Sequence, residues 1–378
     1  MLWRLNCLTN FPKMKKLLIA TVCVLLVVRV AAQDTHYWSQ QFGTRSALLG
    51  GSVVAGTNDN TVIYYNPGAL GFIDTGSISI NANLYQIENI KILNALGKEA
   101  DFKSSQIGTV PLLVGGMLRN RNSAWKIGYG LISPVSFNFK ATARLDGSYP
   151  VVETAESSGN EDLIGQQDTS TKLSEIALGI GAGRKLNDYW SFGFTGFFQV
   201  RSQTYSKSSL VRAYLNDEDN TLVSTTVLQQ LSYYNVRFIP KFGLAYRKQG
   251  WAAGITLTLP ALSMFGNGTV AGDATASNIK SVTTNERFDF VTNDRQEKLK
   301  TKYKSPLSVA VGLSRTFNRS QLHFSAQYFG KVAEYNIIQA KSAAFARPAD
   351  AYPDFTSDEF LRVRTAANSV FNFAIGYE

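Results

Sequence analysis

Apolar and polar residues alternate one by one along much of the chain, and this alternation recurs in ten separate stretches. Side chains of a β-strand point alternately to its two faces, so a period of two predicts strands with one apolar face. The predicted strands are Ser77–Ile87, Gln106–Leu118, Ala124–Phe139, Lys172–Lys185, Tyr189–Ser206, Gln230–Arg247, Trp251–Met264, Tyr303–Phe317, Gln321–Glu334 and Ala366–Tyr377. The chain is therefore predicted to be all-β.

Short and long connections alternate between these strands. Tight turns are predicted at Asn120–Asn122, Asn187–Asp188, Lys248–Gly250 and Asn318–Ser320, and long polar loops at Glu88–Ser105, Lys140–Thr171, Lys207–Gln229, Phe265–Lys302 and Tyr335–Thr365. Outer-membrane barrels have short turns at one end, long loops at the other and strands of about 10 or more residues. The pattern predicts a transmembrane antiparallel β-barrel over residues 76–378, with a soluble β-sandwich as the alternative.

The two faces of each predicted strand differ in chemistry. In Gln230–Arg247, Phe238 and Phe242 lie on one face, whereas Arg237 and Lys241 lie on the other. A barrel in a membrane needs apolar side chains outside, toward lipid, and small or polar side chains inside, toward the lumen. The alternation therefore favours the barrel over the sandwich.

The segment Ala47–Phe72 follows neither a helical nor a strand period, although it is rich in glycine and small apolar residues. It contains a turn signal at Asn66-Pro67-Gly68, with Tyr64 and Tyr65 just before it. An apolar segment without periodicity is poorly suited to water. Residues 33–75 are therefore predicted to form an N-terminal hatch, a plug packed inside the barrel.

Residues 1–32 have the features of a signal peptide, and the true start is predicted at Met14. Lys15-Lys16 precede the apolar run Leu17–Val28, and Val30-Ala31-Ala32 supply small residues for cleavage. Both cysteines, Cys7 and Cys23, lie in this leader, which excludes cysteine-based metal sites and nucleophiles from the mature chain. Removing the leader also removes five basic residues and lowers the formal net charge from +10 to +5. A surplus this small gives no support to nucleic-acid binding.

The leader, the segment SALLGGSVVAG followed by NTVIYYNPGAL, and the long-looped barrel together resemble the FadL/TodX family of outer-membrane transporters, in particular its Bacteroidetes-type branch. The resemblance covers Gln33 to Tyr377. It implies a hatch that plugs the lumen and carries an Asn-Pro-Ala motif. Asn66, Pro67 and Gly68 match that motif except for glycine at the third position. The family barrel has about fourteen strands and ten are predicted here, so a C-terminal truncation of this chain is predicted, with a smaller member of the family as the alternative.

The resemblance implies passive transport of hydrophobic molecules, such as long-chain fatty acids, across the outer membrane of a Gram-negative cell. It also implies an inward kink in the third strand, for which the candidates are Gly128, Gly130 and Pro134. The alternative is that Pro134 merely ends this strand and the glycines are ordinary lumen-facing residues. The implied partners are hydrophobic small molecules, outer-membrane lipid and lipopolysaccharide, and the barrel-assembly machinery. Two other functions stay open: a FadL-like barrel of a type IX secretion system, and a structural or adhesive barrel.

Four basic residues lie at positions of their predicted strands that face the lumen, and they are candidate contacts for a ligand carboxylate: Arg201, Arg237, Lys241 and Arg247. Barrel lumens also carry solvated or paired charge, and Glu175 shares this parity, so a structural role is the alternative. The two histidines, His36 and His323, fit no pattern of catalytic residues or metal ligands. No enzymatic activity, cofactor or metal is predicted.

Overall fold

A computed structural model describes residues 37–38, 41–56, 58–74, 76–118, 123–150, 157–280, 286–347 and 354–378; residues 81–86, 108–112 and 280 are described by their backbone alone. The predicted signal peptide and the predicted turn at Asn120–Asn122 lie outside these ranges. Residues Tyr37–Glu378 form one compact unit.

Strands make up most of the described chain. They are β1 (Ser77–Ile92), β2 (Phe102–Leu118), β3 (Trp125–Tyr149), β4 (Glu161–Lys185), β5 (Trp190–Tyr214), β6 (Leu222–Lys248), β7 (Trp251–Thr258), β8 (Leu262–Lys280), β9 (Arg287–Lys300), β10 (Ser308–Phe317), β11 (Ser320–Phe329), β12 (Val332–Ile338), β13 (Ala346–Arg347), β14 (Val363–Ala367) and β15 (Val370–Tyr377). The helices are short: α1 (Thr44–Leu48), α2 (Val62–Tyr65), the 3₁₀-helix η1 (Pro67–Phe72) and α3 (Ser357–Phe360). None of these helices is long and apolar enough to cross a membrane.

Ten passes of the chain, called staves here, build the wall of the fold. Strands β1 to β6 are one stave each, and staves 7 to 10 each contain two consecutive strands: β7 with β8, β9 with β10, β11 with β12, and β14 with β15. The main sheet runs in the order β1-β2-β3-β4-β5-β6-β7-β10-β11-β15, and every neighbouring pair is antiparallel. Each predicted strand falls on its own stave, which confirms the prediction of an all-β, antiparallel fold.

The predicted faces of the strands are also correct. Phe242 and Phe198 are exposed on the outer face of β6 and β5, whereas Arg237 and Lys241 are buried on the inner face of β6. The tight turn between β6 and β7 has the geometry that a two-residue hairpin requires, because Gln249 and Gly250 have φ of 48° and 77°.

The N-terminal segment, residues 41–56 and 58–74, lies inside the curved sheet and is called the hatch below. Asn60 Nδ2 donates to Ser79 Oγ of β1 at 2.9 Å, and Arg45 forms an ion pair with Glu378, just after β15, at 2.6 Å. The hatch thus contacts the staves at both ends of the sheet order. Because one short segment reaches the first and the last stave, the sheet must curl around it into a barrel.

Three of the five predicted long loops, Lys140–Thr171, Lys207–Gln229 and Phe265–Lys302, are largely strand, which corrects the sequence interpretation. Glu88–Ser105 is strand over half its length, and Tyr335–Thr365 contains only short strand segments. The β4–β5 ladder continues without a register shift from Lys185 paired with Ser191 up to Asp162 paired with Tyr214. This upper part contains mostly polar and charged residues on both faces, so it has no apolar alternation to detect. It forms strands because the ladder between β4 and β5 continues into it from the lower part of the same strands, where apolar and polar residues alternate.

The strands of staves 7 to 10 break at one height. Pairing across the wall places five residues in a single row: Lys241, Thr258, Ser308, Phe329 and Val370. β7 and β11 end at this row, and β10 and β15 begin at it. Pro240, Pro260 and Pro306 lie close to the row, and proline cannot donate a ladder hydrogen bond. In staves 7 to 10 the wall therefore has a lower part that is continuously paired and an upper part made of separate strands, whereas β3 to β6 run through both parts.

Candidate functional site

Asn66 fixes the turn of the hatch to the barrel wall. Its side chain is fully buried, Nδ2 donates to the carbonyls of Val54 at 3.0 Å and Leu244 at 3.2 Å, and Oδ1 accepts from Gly68 N at 2.9 Å. Pro67 takes the first position of η1, where its missing N–H costs no hydrogen bond. One amide side chain thus joins two parts of the hatch and β6.

Position 68 requires glycine, because the backbone of the hatch approaches the barrel wall closely there. A Cβ at this position would lie 2.7 Å from the backbone of Gly243 and 2.8 Å from that of Leu244. Glycine at this position is the one departure from the Asn-Pro-Ala motif that the resemblance implies. In this chain, glycine allows the hatch to contact β6 closely, and the methyl group of alanine would prevent that contact.

Replacing Gly68 with alanine is expected to lower the free energy of unfolding by about 1–3 kcal/mol, because the added methyl meets backbone atoms that have no room to move. Thermal unfolding of the purified protein measures this. The matched control is Gly165→Ala on β4, where a Cβ would meet its nearest neighbour at an ordinary 3.7 Å. Equal midpoints for the two variants would contradict the close-contact explanation.

The upper surface of the hatch is held by two side chains of the wall. Lys241 Nζ donates to the carbonyl of Tyr64 at 2.5 Å and lies 4.1 Å from the centre of the Tyr64 ring. Thr256 Oγ1 donates to the carbonyl of Tyr65 at 2.9 Å. The Tyr64 ring also contacts Phe197 on β5, with ring centres 6.1 Å apart. Lys241 therefore holds the hatch, and in this structure it contacts no carboxylate among the described residues.

A charged cluster is buried in the lumen on β4, β5 and β6. The carboxylate of Glu175 accepts from Arg201 Nη1 at 2.6 Å and from Arg237 Nη2 at 2.8 Å. Gln199 Nε2 donates to the other oxygen of Glu175. Arg201 Nε also donates to Tyr233 Oη at 3.0 Å. Two guanidinium groups share one carboxylate, so these side chains carry a formal charge of +1.

The ring of Tyr303 covers this cluster. The guanidinium carbons of Arg201 and Arg237 lie 4.0 Å and 4.7 Å from the centre of the ring, which is cation–π distance. Arg237 is only 3% exposed, yet its Nε and Nη1 have no hydrogen-bond partner. Buried donors without partners are rare and costly. The cluster therefore offers free N–H groups and a net positive charge, the chemistry that binds a carboxylate or another anion.

The fourth predicted cation lies apart from these. The Arg247 guanidinium is 4.8 Å from the centre of the Phe72 ring, at the end of the hatch near the short turns. Asp74 lies close by, with Lys126 Nζ at 3.2 Å and Lys185 Nζ at 3.5 Å. The hydrogen bond from Lys126 is the largest influence on Asp74 and holds the pKa of this carboxyl below its ordinary value. The structure thus brings together Arg201 and Arg237, and places Lys241 and Arg247 against the hatch.

The predicted kink in the third strand coincides with an irregularity of β3. The register to β4 shifts between Ile132 and Val135, around Pro134, and the described pairing of β2 with β3 reaches only as far up as Ile132. Gly128 and Gly130 face the hatch, since Cβ atoms there would lie 3.0 Å from Leu70 and 3.3 Å from Ile63. The glycines thus have a packing role, and the role of Pro134 as part of an opening stays a prediction.

Sequence reasoning missed Tyr233 and Tyr303 as members of the cluster. Tyr233 is on the inner face of β6, which the strand period gives. Tyr303 begins the predicted strand Tyr303–Phe317, but the observed strand β10 starts only at Ser308, so this part of the prediction was wrong and Tyr303 lies between strands. Among the residues that the structure describes, no group of three His, Cys, Asp or Glu side chains is arranged to hold a metal ion.

No protein-family model and no curated protein sequence matches the chain. Solved structures do. A structure of the toluene transporter TodX from Pseudomonas putida matches with a TM-score of 0.58 and 12% identity, over 91% of this chain and 81% of that chain. The CymD monoaromatic hydrocarbon channel matches with a TM-score of 0.52 and 12% identity, over 89% and 79%. The resemblance to the FadL/TodX family is thus confirmed for the fold, and its Bacteroidetes-type branch stays a prediction: this chain has the fold of the FadL/TodX hydrophobic-compound channels.

Proposed function

We propose that this protein is an outer-membrane channel for the passive import of hydrophobic molecules, with long-chain fatty acids as the favoured class. The observation that carries the proposal is the buried cationic cluster beside a hatch-filled lumen, where Arg237 keeps two free nitrogen donors. A fatty acid has the apolar tail that such channels accept and a carboxylate that these donors bind. The structural neighbours are named as transporters and channels, which supports transport over catalysis.

The proposed transport has four steps. Ligand is captured at the outer end of the barrel and enters the upper lumen, where Arg237 and Arg201 bind its carboxylate. The hatch then shifts about the turn at Asn66-Pro67-Gly68, and the ligand leaves downward or through the wall near Pro134. No step requires a nucleotide or another cofactor. The proposed surroundings are outer-membrane lipid and lipopolysaccharide, into which the barrel-assembly machinery inserts the protein.

A second ligand class is favoured by the comparisons. TodX is described as a toluene transporter and CymD as a monoaromatic hydrocarbon channel, and neither description includes a charged ligand. Toluene would use the apolar surfaces of the lumen and leave the guanidinium groups unused. The two classes therefore differ in their dependence on Arg237.

Replacing Arg237 with glutamine is expected to lower the uptake of labelled palmitate at least tenfold, because a hydrogen bond to a charged group contributes about 1.5–3 kcal/mol. Toluene uptake should stay within twofold of wild type. Both are measured in cells that express the protein, against an empty vector. The matched control is Arg212→Gln, an exposed arginine on the neighbouring strand β5.

Palmitate uptake equal to the vector, with the barrel verified in the outer membrane, would overturn the fatty-acid proposal. Toluene uptake alone would then assign a hydrocarbon channel. If neither solute enters, co-purification of secretion proteins would favour the type IX secretion barrel, and loss of cell attachment on loop deletion would favour the structural or adhesive barrel.

A further inference from the structure

The wall has a slit between staves 7 and 8. Thr301 N donates to Gly266 O at 3.3 Å above the slit, and Ser308 pairs with Thr258 below it. Between these points, in the part of the chain that the structure describes, no backbone hydrogen bond joins Pro260–Phe265 to Lys302–Leu307. A backbone ladder is what normally seals a barrel wall. At the slit, side chains must seal the wall instead.

The segment Lys302–Leu307, called the strap below, is held mainly by stave 9. Lys302 N donates to Ile337 O at 3.0 Å, and Leu307 O accepts from Gly330 N at 2.8 Å. Between these ends, Lys304 N donates to the phenolic oxygen of Tyr335 at 2.9 Å. The strap is thus tied along one edge, and the edge that faces stave 7 is free of backbone hydrogen bonds.

The inner and outer sides of the strap have opposite chemistry. On the inside, Tyr303 covers Arg201 and Arg237, and Arg237 has two unpaired nitrogen donors although it is almost fully buried. On the outside, Leu262, Phe265 and Leu307 are 62%, 59% and 43% exposed beside the slit. The strap and the slit beside it therefore lie between a buried cation with free donors and an apolar outer surface.

We propose that this slit is a binding site for a single-chain amphiphile with an anionic head. The head binds Arg237 and Arg201 in the position now covered by the Tyr303 ring, and the tail lies in the slit against Leu262, Phe265 and Leu307. An uncharged hydrocarbon would leave the excess positive charge of the cluster unbalanced. The site deepens the proposed function, because it names a location in the wall for the same class of ligand.

The test uses two photoreactive probes that share one tail. Dodecanoate and dodecanol, each with a diazirine at the end of the chain, are crosslinked to the purified protein in lipid nanodiscs, and the labelled peptides are identified by mass spectrometry. Dodecanoate is expected to label Leu262–Phe265 and Leu307 at least fivefold more than dodecanol. In Arg237→Gln this preference should disappear, whereas Arg212→Gln should keep it.

Variants of Tyr303 test whether the ring covers the site. Tyr303→Ala is expected to increase slit labelling by dodecanoate severalfold, and Tyr303→Phe, which keeps the ring, should behave as the wild type. Heat-dependent electrophoretic mobility verifies that each variant is folded. Slit labelling that is equal for both probes, or labelling confined to residues around Pro134, would overturn the site.

Palmitate uptake in parallel separates this inference from the proposed function. Normal uptake without slit labelling would overturn the wall site and leave the channel. Slit labelling without uptake would keep the site and overturn the transport proposal. Absence of both would overturn both.

Discussion

Replacing Glu175 with glutamine is expected to lower the free energy of unfolding by about 3–5 kcal/mol, because it removes the carboxylate shared by two buried arginines. Glu175 is 4% exposed, and no other carboxylate of the described chain is hydrogen-bonded to Arg201 or Arg237. Two guanidinium groups would then repel each other away from water. The shift in the midpoint of urea unfolding, followed by tryptophan fluorescence, measures the loss.

The matched control is Glu334→Gln on β12. Glu334 also binds an arginine, Arg364, at 3.0 Å, but both side chains are more than half exposed. Exposed pairs contribute about 0–1 kcal/mol, so this variant should unfold almost as the wild type does. Equal effects of the two substitutions would contradict the view that burial makes the cluster important.

The same variant also reports on the ligand. In Glu175→Gln the carboxylate of added dodecanoate can replace the missing one, so dodecanoate should raise the unfolding midpoint more than it does in wild type. Dodecanol, with the same tail and no charge, should not produce this difference. An identical response to the two compounds would argue against anion binding at Arg201 and Arg237.

Replacing Asn66 with alanine is expected to release the hatch from the wall. The substitution leaves two carbonyls and one N–H without their partner, and each unsatisfied buried group costs about 1–3 kcal/mol. The hatch should then move within the barrel, and ions should pass. Conductance of single proteins in planar lipid bilayers should rise severalfold and fluctuate, while the wild type stays nearly closed.

Asn58→Ala is the matched control for this prediction. Asn58 lies in the same segment of the hatch but is exposed. Its removal should leave conductance unchanged. A closed Asn66→Ala channel would show that other contacts, such as those of Lys241 and Thr256, are sufficient to hold the hatch.

Strand order and faces were predictable from the sequence because a barrel repeats one simple pattern. Alternation placed Arg237 and Lys241 in the lumen, and lack of alternation placed Asn66 in a separate inner segment. The upper strands were not predictable, because polar residues on both faces remove the period even where the ladder continues. Strand parity also could not show that Arg201 and Arg237 share Glu175 while Lys241 binds the hatch. The alternation shows on which face of the sheet a residue lies, but it does not show which side chains of neighbouring strands lie at the same height.

The hatch contacts both ends of the sheet order, and this has a consequence for folding. Arg45 binds Glu378 across 333 positions of sequence, and Leu49 lies against Gly376 of β15. Contacts between residues so distant in sequence form slowly, since the entropy of closing the loop is lost before they form. The hatch, although it is made early in synthesis, therefore reaches its position in this structure only after β15 has been made. Placement of the hatch and pairing of β15 with the sheet are therefore coupled in folding.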